Sequence, residues 1–323
     1  MKYKMMDTII PQDKRKEIND KILYLIDSGK AGEYGVTPQD VFNAYTGEGG
    51  LHGLSARDFE HYHAFSSAKK EIEQGQFFTP HRLCKFLVDC VRPGEHDLVA
   101  DLTAGMGNFL NWLPNLRNTY ANELDIKAYK VMKYLYPEAQ LSVEDIRYYN
   151  PGVRFDVIFG NPPFNLEWRI GTHETVYSQL YYCLKAHELL KPAGLLALIV
   201  PVSFMADEFM AGNVIQKMNE RFHFIFQAAL PANAFRSLGV SAFETKIMFF
   251  QKRSEHLPEV KEYDCGLPTV PIADTNSEWI YEKMIRPVLQ TKETVKHRLF
   301  YENLQANQAS EDFERKIRKY LFD

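Results

Sequence analysis

A chain of 323 residues, 45% of them hydrophobic, is long enough for one large core with a smaller module beside it, and its composition is that of a folded protein. The formal net charge of −4 excludes a surface that binds nucleic acid by bulk charge, although a local basic groove is compatible with it. The four cysteines, Cys84, Cys90, Cys183 and Cys265, form no CxxC pair and have no histidines at ligand spacing, which argues against a zinc site or a disulfide framework.

Residues 1–74 read as a helical region. The first residues lack the apolar core of a signal peptide, an amphipathic run over Gln12–Ser28 stops at Gly29, and Thr37-Pro38 opens a second helix with an N-cap followed by a proline at the first helical position. A third helix is expected over 55–74. Between them Gly47-Glu48-Gly49-Gly50 cannot be helix interior and reads as a loop.

From 75 to 253 the pattern changes to βα units, with apolar strands at 98–102, 156–160 and 195–200 separated by helix-length segments. A Rossmann-like α/β fold follows, with a doubly wound, mainly parallel sheet. Thr79 and Pro80 are placed to cap and start a helix over 80–91. The runs at 222–230 and 243–252 are strand-like without a crossover helix between them, so the sheet should end in a C-terminal antiparallel hairpin. The most apolar stretch, 194–204, is too short to span a bilayer, and a soluble, cytoplasmic protein is expected. Residues 254–323 form a net acidic tail with helical patterns over 278–289 and 309–321.

The sharpest chemical signal follows the strand at 156–160: Gly160-Asn161-Pro162-Pro163-Phe164. Loops after the carboxyl ends of parallel strands are where ligands bind in such sheets. The Asn161 amide oxygen and the Pro162 carbonyl are acceptors able to hold both hydrogens of an amino group, the two prolines stiffen the turn, and Phe164 can stack on a ring. Taken alone, the tetrapeptide is equally a proline-rich turn after a buried strand.

Its context adds weight. Asp101 ends a strand and is followed by Thr103, Gly105 and Gly107, whose glycines allow a tight turn and close approach of a ligand. Glu123 ends the next strand, where it can accept from two ribose hydroxyls, or stand as a solvated charge. After a further strand, Asp145 beside Ile146 can accept from an adenine amino group. Leu110 stands where a dinucleotide-binding turn would carry its third glycine. His61 and His63 read as surface or packing residues, Trp112 as core, and Trp168 as a loop aromatic able to face DNA.

Together GQFFTP, DLTAGMGNF, NELD, VEDI and GNPPF resemble the N6-adenine DNA methyltransferases of gamma motif order, and are similar to type I restriction-modification methylase subunits. The resemblance spans about 75–252. It implies S-adenosyl-L-methionine as cofactor, with Phe78, Thr79, Asp101, Thr103, Gly105 and Gly107 at its methionine end, Glu123 at the ribose, Asp145 and Ile146 at the adenine, and Asn161 near the methyl donor. Asn161, Pro162, Pro163 and Phe164 are the implied catalytic loop, and Phe235, in the later Leu230-Pro231-Ala232-Asn233-Ala234-Phe235 segment, faces Phe164 across an extruded base.

The implied partner is double-stranded DNA, in a restriction-modification or mobile-element setting, with neither a metal nor a membrane. Here the glycine turn departs from the more common Asp/Glu-Pro-Ala-Cys-Gly-x-Gly. No recognition domain fits between Asp145 and Asn161, which leaves the short, net acidic tail over 254–323 as a helical accessory or recognition segment. A separate specificity subunit or an accessory role for the N-terminal helices are the other expected routes to sequence recognition, and a homo-oligomer is a further expected partner. Two other readings stay open: methylation of a protein glutamine or an RNA base amine, and a noncatalytic DNA-binding subunit that keeps the fold.

Overall fold

A computed structural model describes residues 1–5, 10, 12–47, 57, 60–63, 66, 78–170, 174–235, 244–255, 257 and 261–322. Most of the expected third helix and the 48–50 part of the N-terminal loop lie outside these residues.

Two N-terminal helices, α1 (Gln12–Ser28) and α2 (Pro38–Ala44), begin and end where local chemistry dictates. Gly29 takes a left-handed φ of 68° after α1, and Thr37 caps α2 in a reciprocal box with Asp40. The next helix, α3 (His81–Val91), departs from expectation at its start. Its N-cap is Pro80, in an extended conformation, and no side chain caps it. Thr79 therefore lies one residue outside the cap position. Its carbonyl instead accepts from Asn108 Nδ2 at 2.8 Å.

The α/β unit then runs β1 (Val99–Asp101), β2 (Thr119–Asn122), α4 (Ile126–Leu135), β3 (Gln140–Ser142), β4 (Phe155–Gly160), a hairpin of β5 (Glu167–Ile170) and β6 (Glu174–Tyr177), α5 (Ser178–Leu189), β7 (Leu190–Pro201), α6 (Glu208–Asn219), β8 (Phe222–Ala229) and β9 (Thr245–Lys252). A two-residue β10 (Val270–Pro271) follows. The main sheet has the order β3-β2-β1-β4-β7-β9-β8-β10.

Strands β3, β2, β1, β4 and β7 are mutually parallel, and β9 is antiparallel to both β7 and β8. The doubly wound sheet and its hairpin are thus as expected, with one refinement. The second hairpin strand, β9, inserts next to β7 and pushes β8 outward.

Alternation along the strands feeds two cores. Ile158, Leu196 and Met248 face α5 and α6, whereas Val157, Phe159, Ala197 and Phe249 face α3 and the C-terminal helices. A third cluster joins Tyr3, Ile22, Leu23, Val41 and Phe42 of the N-terminal region to Val131, Met132 and Leu135 of α4 and to Tyr136 just after it. The N-terminal helices therefore share apolar packing with the α/β unit.

In the tail, α7 (Ser277–Ile280) passes through a π turn at Tyr281–Ile285 into α8 (Arg286–Phe322). The two helices expected there are joined, because no glycine or proline interrupts the chain between 289 and 309. Helix α8 is fastened by Lys292, only 4% exposed, whose ammonium lies 3.1 Å from Asp156 Oδ1 and 3.4 Å from Asp97 Oδ1. The contact with Asp156 is a charge contact outside hydrogen-bond alignment. The other oxygen, Oδ2, accepts from Lys191 Nζ at 2.6 Å and from the Leu98 N–H at 3.0 Å.

No described helix is long and apolar enough to cross a membrane. Among the described residues no group of three or more His, Cys, Asp and Glu could hold a metal ion.

Candidate active site

The connections reverse direction between β1 and β4, which are neighbours in the sheet, and ligands of such sheets bind beyond the carboxyl ends of the strands at this kind of switch point. The segment after β1 is the glycine turn and the segment after β4 is Asn161-Pro162-Pro163-Phe164. The two strongest motifs therefore leave adjacent strands on the same edge.

Gly105 and Gly107 have φ of 59° and 84°, where a side chain is strained. A Cβ on Gly105 would lie 2.5 Å from Phe78 Cδ1. The Phe78 ring is wedged between that turn and Gly47, where a Cβ would overlap the same ring. Gly47 is held by the buried Asn19 of α1, whose Nδ2 donates to the Gly47 carbonyl at 2.6 Å and whose Oδ1 accepts from the Thr46 N–H at 3.1 Å. Phe78 and Thr79 thus both lie against the turn.

Asp101 is buried and accepts from the Thr103 N–H at 3.1 Å. Burial, together with the nearby Glu123, pushes its carboxyl up to about 7. Glu123 accepts from the Gly105 N–H at 2.6 Å and the Asp125 N–H at 2.9 Å, so it braces the turn. Burial is the leading cause of its upward shift as well.

Two neighbouring acids in a dry place favour an incoming cation. The Thr103 hydroxyl and the Asn108 Oδ1 beside them are buried without a hydrogen-bond partner among the described residues. Orphaned polar atoms and paired acids fit the ammonium-bearing end of an S-adenosylmethionine molecule, while the glycines make room for Phe78 and for the Met132 and Tyr136 side chains.

Asp145 stands differently. Its carboxylate is clasped by Arg147, at 2.9 and 3.0 Å through Nε and through a closer contact with Nη2, and this pairing holds its pKa below the usual value. An adenine amino group would have to displace Arg147. Ile146 is buried in the core, whereas Leu124, next to Glu123, is 67% exposed and offers the apolar surface at this end.

In the acceptor loop Pro162 and Phe164 are buried, and Asn161 and Pro163 are partly buried. Phe164 and Phe235 belong to one apolar cluster and are 8% and 3% exposed. Trp168, expected in a loop, is on β5 and packs edge-on against Tyr181 at 5.4 Å between centroids. Trp112 is partly buried at the edge of the second core, and His61 and His63 stack on each other at 6.3 Å.

Sequence reading missed the residues that hold these loops. The buried Asn122 joins three strand ends: its Nδ2 donates to the carbonyls of Leu102 and Glu144, and its Oδ1 accepts from the Glu144 N–H. Ser178 Oγ donates to the Pro163 carbonyl at 2.5 Å, and Gln179 Oε1 accepts from the N–H of Asn165, a residue with φ of 58°. Their only sequence signal was proximity to the motif, because hydrogen bonds from a helix start have no periodic signature.

The fold so assembled is that of the class I S-adenosylmethionine-dependent methyltransferases. A Listeria monocytogenes structure described as one of these superposes with a TM-score of 0.51 at 13% identity, covering 82% of this chain and 98% of that one. In sequence, residues 108–228 match the family model of the Eco57I restriction-modification methylase. The chain is 23% identical over 293 residues to the StySPI type I methylase subunit of Salmonella potsdam, covering 76% of this chain and 52% of the relative. It is 22% identical over 279 residues to the EcoKI methylase subunit of Escherichia coli K12, covering 72% and 50%. This chain thus spans about half the length of these curated relatives.

Proposed function

We propose that the protein is an S-adenosylmethionine-dependent DNA methyltransferase acting on the N6 amino group of adenine in double-stranded DNA, in a restriction-modification setting. The observation that carries this reading is the departure of Asn161-Pro162-Pro163-Phe164 from β4 directly beside the glycine turn of β1. Similarity to type I methylase subunits supports the choice of DNA over the other acceptors of such a loop.

S-adenosylmethionine supplies an electrophilic methyl group on sulfur. The chain's own residues do the rest. Asp101 and the buried polar atoms of Thr103 and Asn108 would receive the amino-acid end, Glu123 would hold the ribose, and Leu124 would offer a face to the adenine ring. Asn161 and the Pro162 carbonyl accept the two amino hydrogens, which turns the nitrogen lone pair toward the donor and stabilises positive charge developing there. Phe164 and Phe235, which share one apolar cluster, would stack on an extruded base and so offset what it loses on leaving the duplex. Recognition of a DNA sequence is assigned to a separate specificity subunit or a second copy of the chain.

The test is transfer of labelled methyl to a mixture of DNA, RNA and protein acceptors, with the specificity subunit encoded beside it where one exists, followed by identification of the labelled nucleoside or residue. Label in N6-methyladenine of DNA is expected. Label in RNA or in protein glutamine refutes the DNA reading.

A further inference from the structure

Tyr182 is fully buried on α5, between the two loops just described, and the mechanism above does not use it. Its hydroxyl donates to the Phe159 carbonyl at 2.5 Å and accepts from the Leu102 N–H at 3.2 Å. Phe159 is two residues before Asn161, and Leu102 directly follows Asp101. The paired register of β1 and β4 stops at Asp101 and Phe159.

The hydroxyl therefore stands at the point where the two strands part, taking up one main-chain donor from β1 and one main-chain acceptor from β4. Burial drives the phenol's pKa upward, so it stays neutral and keeps both roles.

Gly160 belongs to the same arrangement. A Cβ there would overlap the Tyr182 phenol at Cζ and the hydroxyl, so the glycine ahead of Asn161 is needed for the close approach of this ring. One turn earlier on α5, Ser178 and Gln179 hold Pro163 and Asn165. The acceptor loop is thus braced from one helix along its length, and Tyr182 also reaches across to the donor side.

We propose that Tyr182 is a positioning residue that sets the separation between the glycine turn and the Asn161 loop, and so the distance over which a methyl group is passed. This rests on the proposed function for its catalytic readout, whereas the bracing of the two loops is a property of the fold alone. Without the hydroxyl, the Leu102 N–H and Phe159 carbonyl either close on each other, drawing the two loops together, or stay buried and unpaired. Either outcome displaces the donor site relative to Asn161.

The experiment compares wild type with Tyr182→Phe, and with Gly160→Ala, which pushes the phenol away from the opposite side. Methyl transfer to DNA is measured as kcat and KM for S-adenosylmethionine, and hydrogen exchange is followed in peptides covering 98–106 and 157–166. In both variants kcat should fall about ten- to a hundredfold with KM for S-adenosylmethionine little changed. Exchange should rise in those two peptides and stay as in wild type elsewhere.

Unchanged kcat together with unchanged exchange in both peptides overturns the proposal. So does a uniform rise in exchange across the chain with kcat falling in proportion to the folded fraction, which marks Tyr182 as a packing residue. If wild type, assayed with the specificity subunit encoded beside it where one exists, transfers no methyl to DNA, the proposed function fails. The exchange comparison then decides Tyr182 alone, and no local change in the two peptides overturns it.

Discussion

Lys292→Met removes the charge that fastens α8 to the sheet while keeping most of the side-chain volume. Losing one partner of a buried ion pair costs about 3–5 kcal/mol when the remaining charge is stranded. Asp156 is not fully stranded here, since Lys191 and the Leu98 N–H remain on its other oxygen. The expected loss is therefore smaller, about 2–3 kcal/mol, read in urea as a fall in midpoint of less than about 1 M, because the slope grows with chain length.

The effect has a pH signature. Burial alone would raise the Asp156 pKa, but Lys292, then the Lys191 hydrogen bond and the Leu98 amide, outweigh it and hold the carboxyl below its usual range. A depressed acid contributes stability that is complete above its unfolded pKa, about 4, and is lost as pH falls through the folded value. The difference between wild type and variant should thus be full at pH 7 and shrink on acidification below about pH 4. A difference under about 1 kcal/mol at pH 7, or one that does not narrow in acid, would refute this account. Lys292 lies at the opposite end of β4 from Asn161, so methyl transfer per folded molecule should be retained.

Asn161→Ala should leave S-adenosylmethionine affinity by calorimetry within about threefold and abolish measurable turnover, because it removes an acceptor that acts on the amine and not on the cofactor. Gly107→Ala should cost about 2–4 kcal/mol in chemical denaturation, since its φ of 84° is strained for a side chain and the Cβ would lie 3.0 Å from Met132 Cγ and 3.1 Å from the Tyr136 ring. Asp101, with a carboxyl pushed up to about 7, holds its proton in the folded protein well above the pH at which an unfolded aspartate loses it. Stability relative to Asp101→Asn should therefore decline as pH rises from about 4 to 7. Affinity for the cationic cofactor end should instead climb with pH and level off above about 7 in wild type, with Asp101→Asn showing no such rise; a flat wild-type profile would contradict Asp101 as the partner of that charge.

Strands β1, β4 and β7 were readable because each sits in an apolar run, and Gly105, Gly107 and Pro162-Pro163 were readable because backbone constraint is written in residue type. Helix ends proved harder: Thr79-Pro80 has the composition of a cap, yet the extended backbone at Pro80 starts α3 one residue later. Asp145 was found by its place after β3, but sequence position gives no sign that Arg147 would clasp it. Tyr182 and Asn122 were invisible, since a buried phenol on a helix and an asparagine in a strand look like ordinary packing until the strands they join are brought together.

The insertion of β9 between β7 and β8 dictates the order in which the chain can be completed. As the polypeptide emerges, β7 can add to β4 once residue 201 has left the ribosome, but the strand that covers its other edge in the folded sheet, β9, comes only with 245–252, after β8. For that interval the apolar run of β7 presents an open template to any other strand. Cooler expression or slower initiation, which lowers the number of nascent chains meeting at that stage, should favour recovery of the folded chain over inclusion bodies.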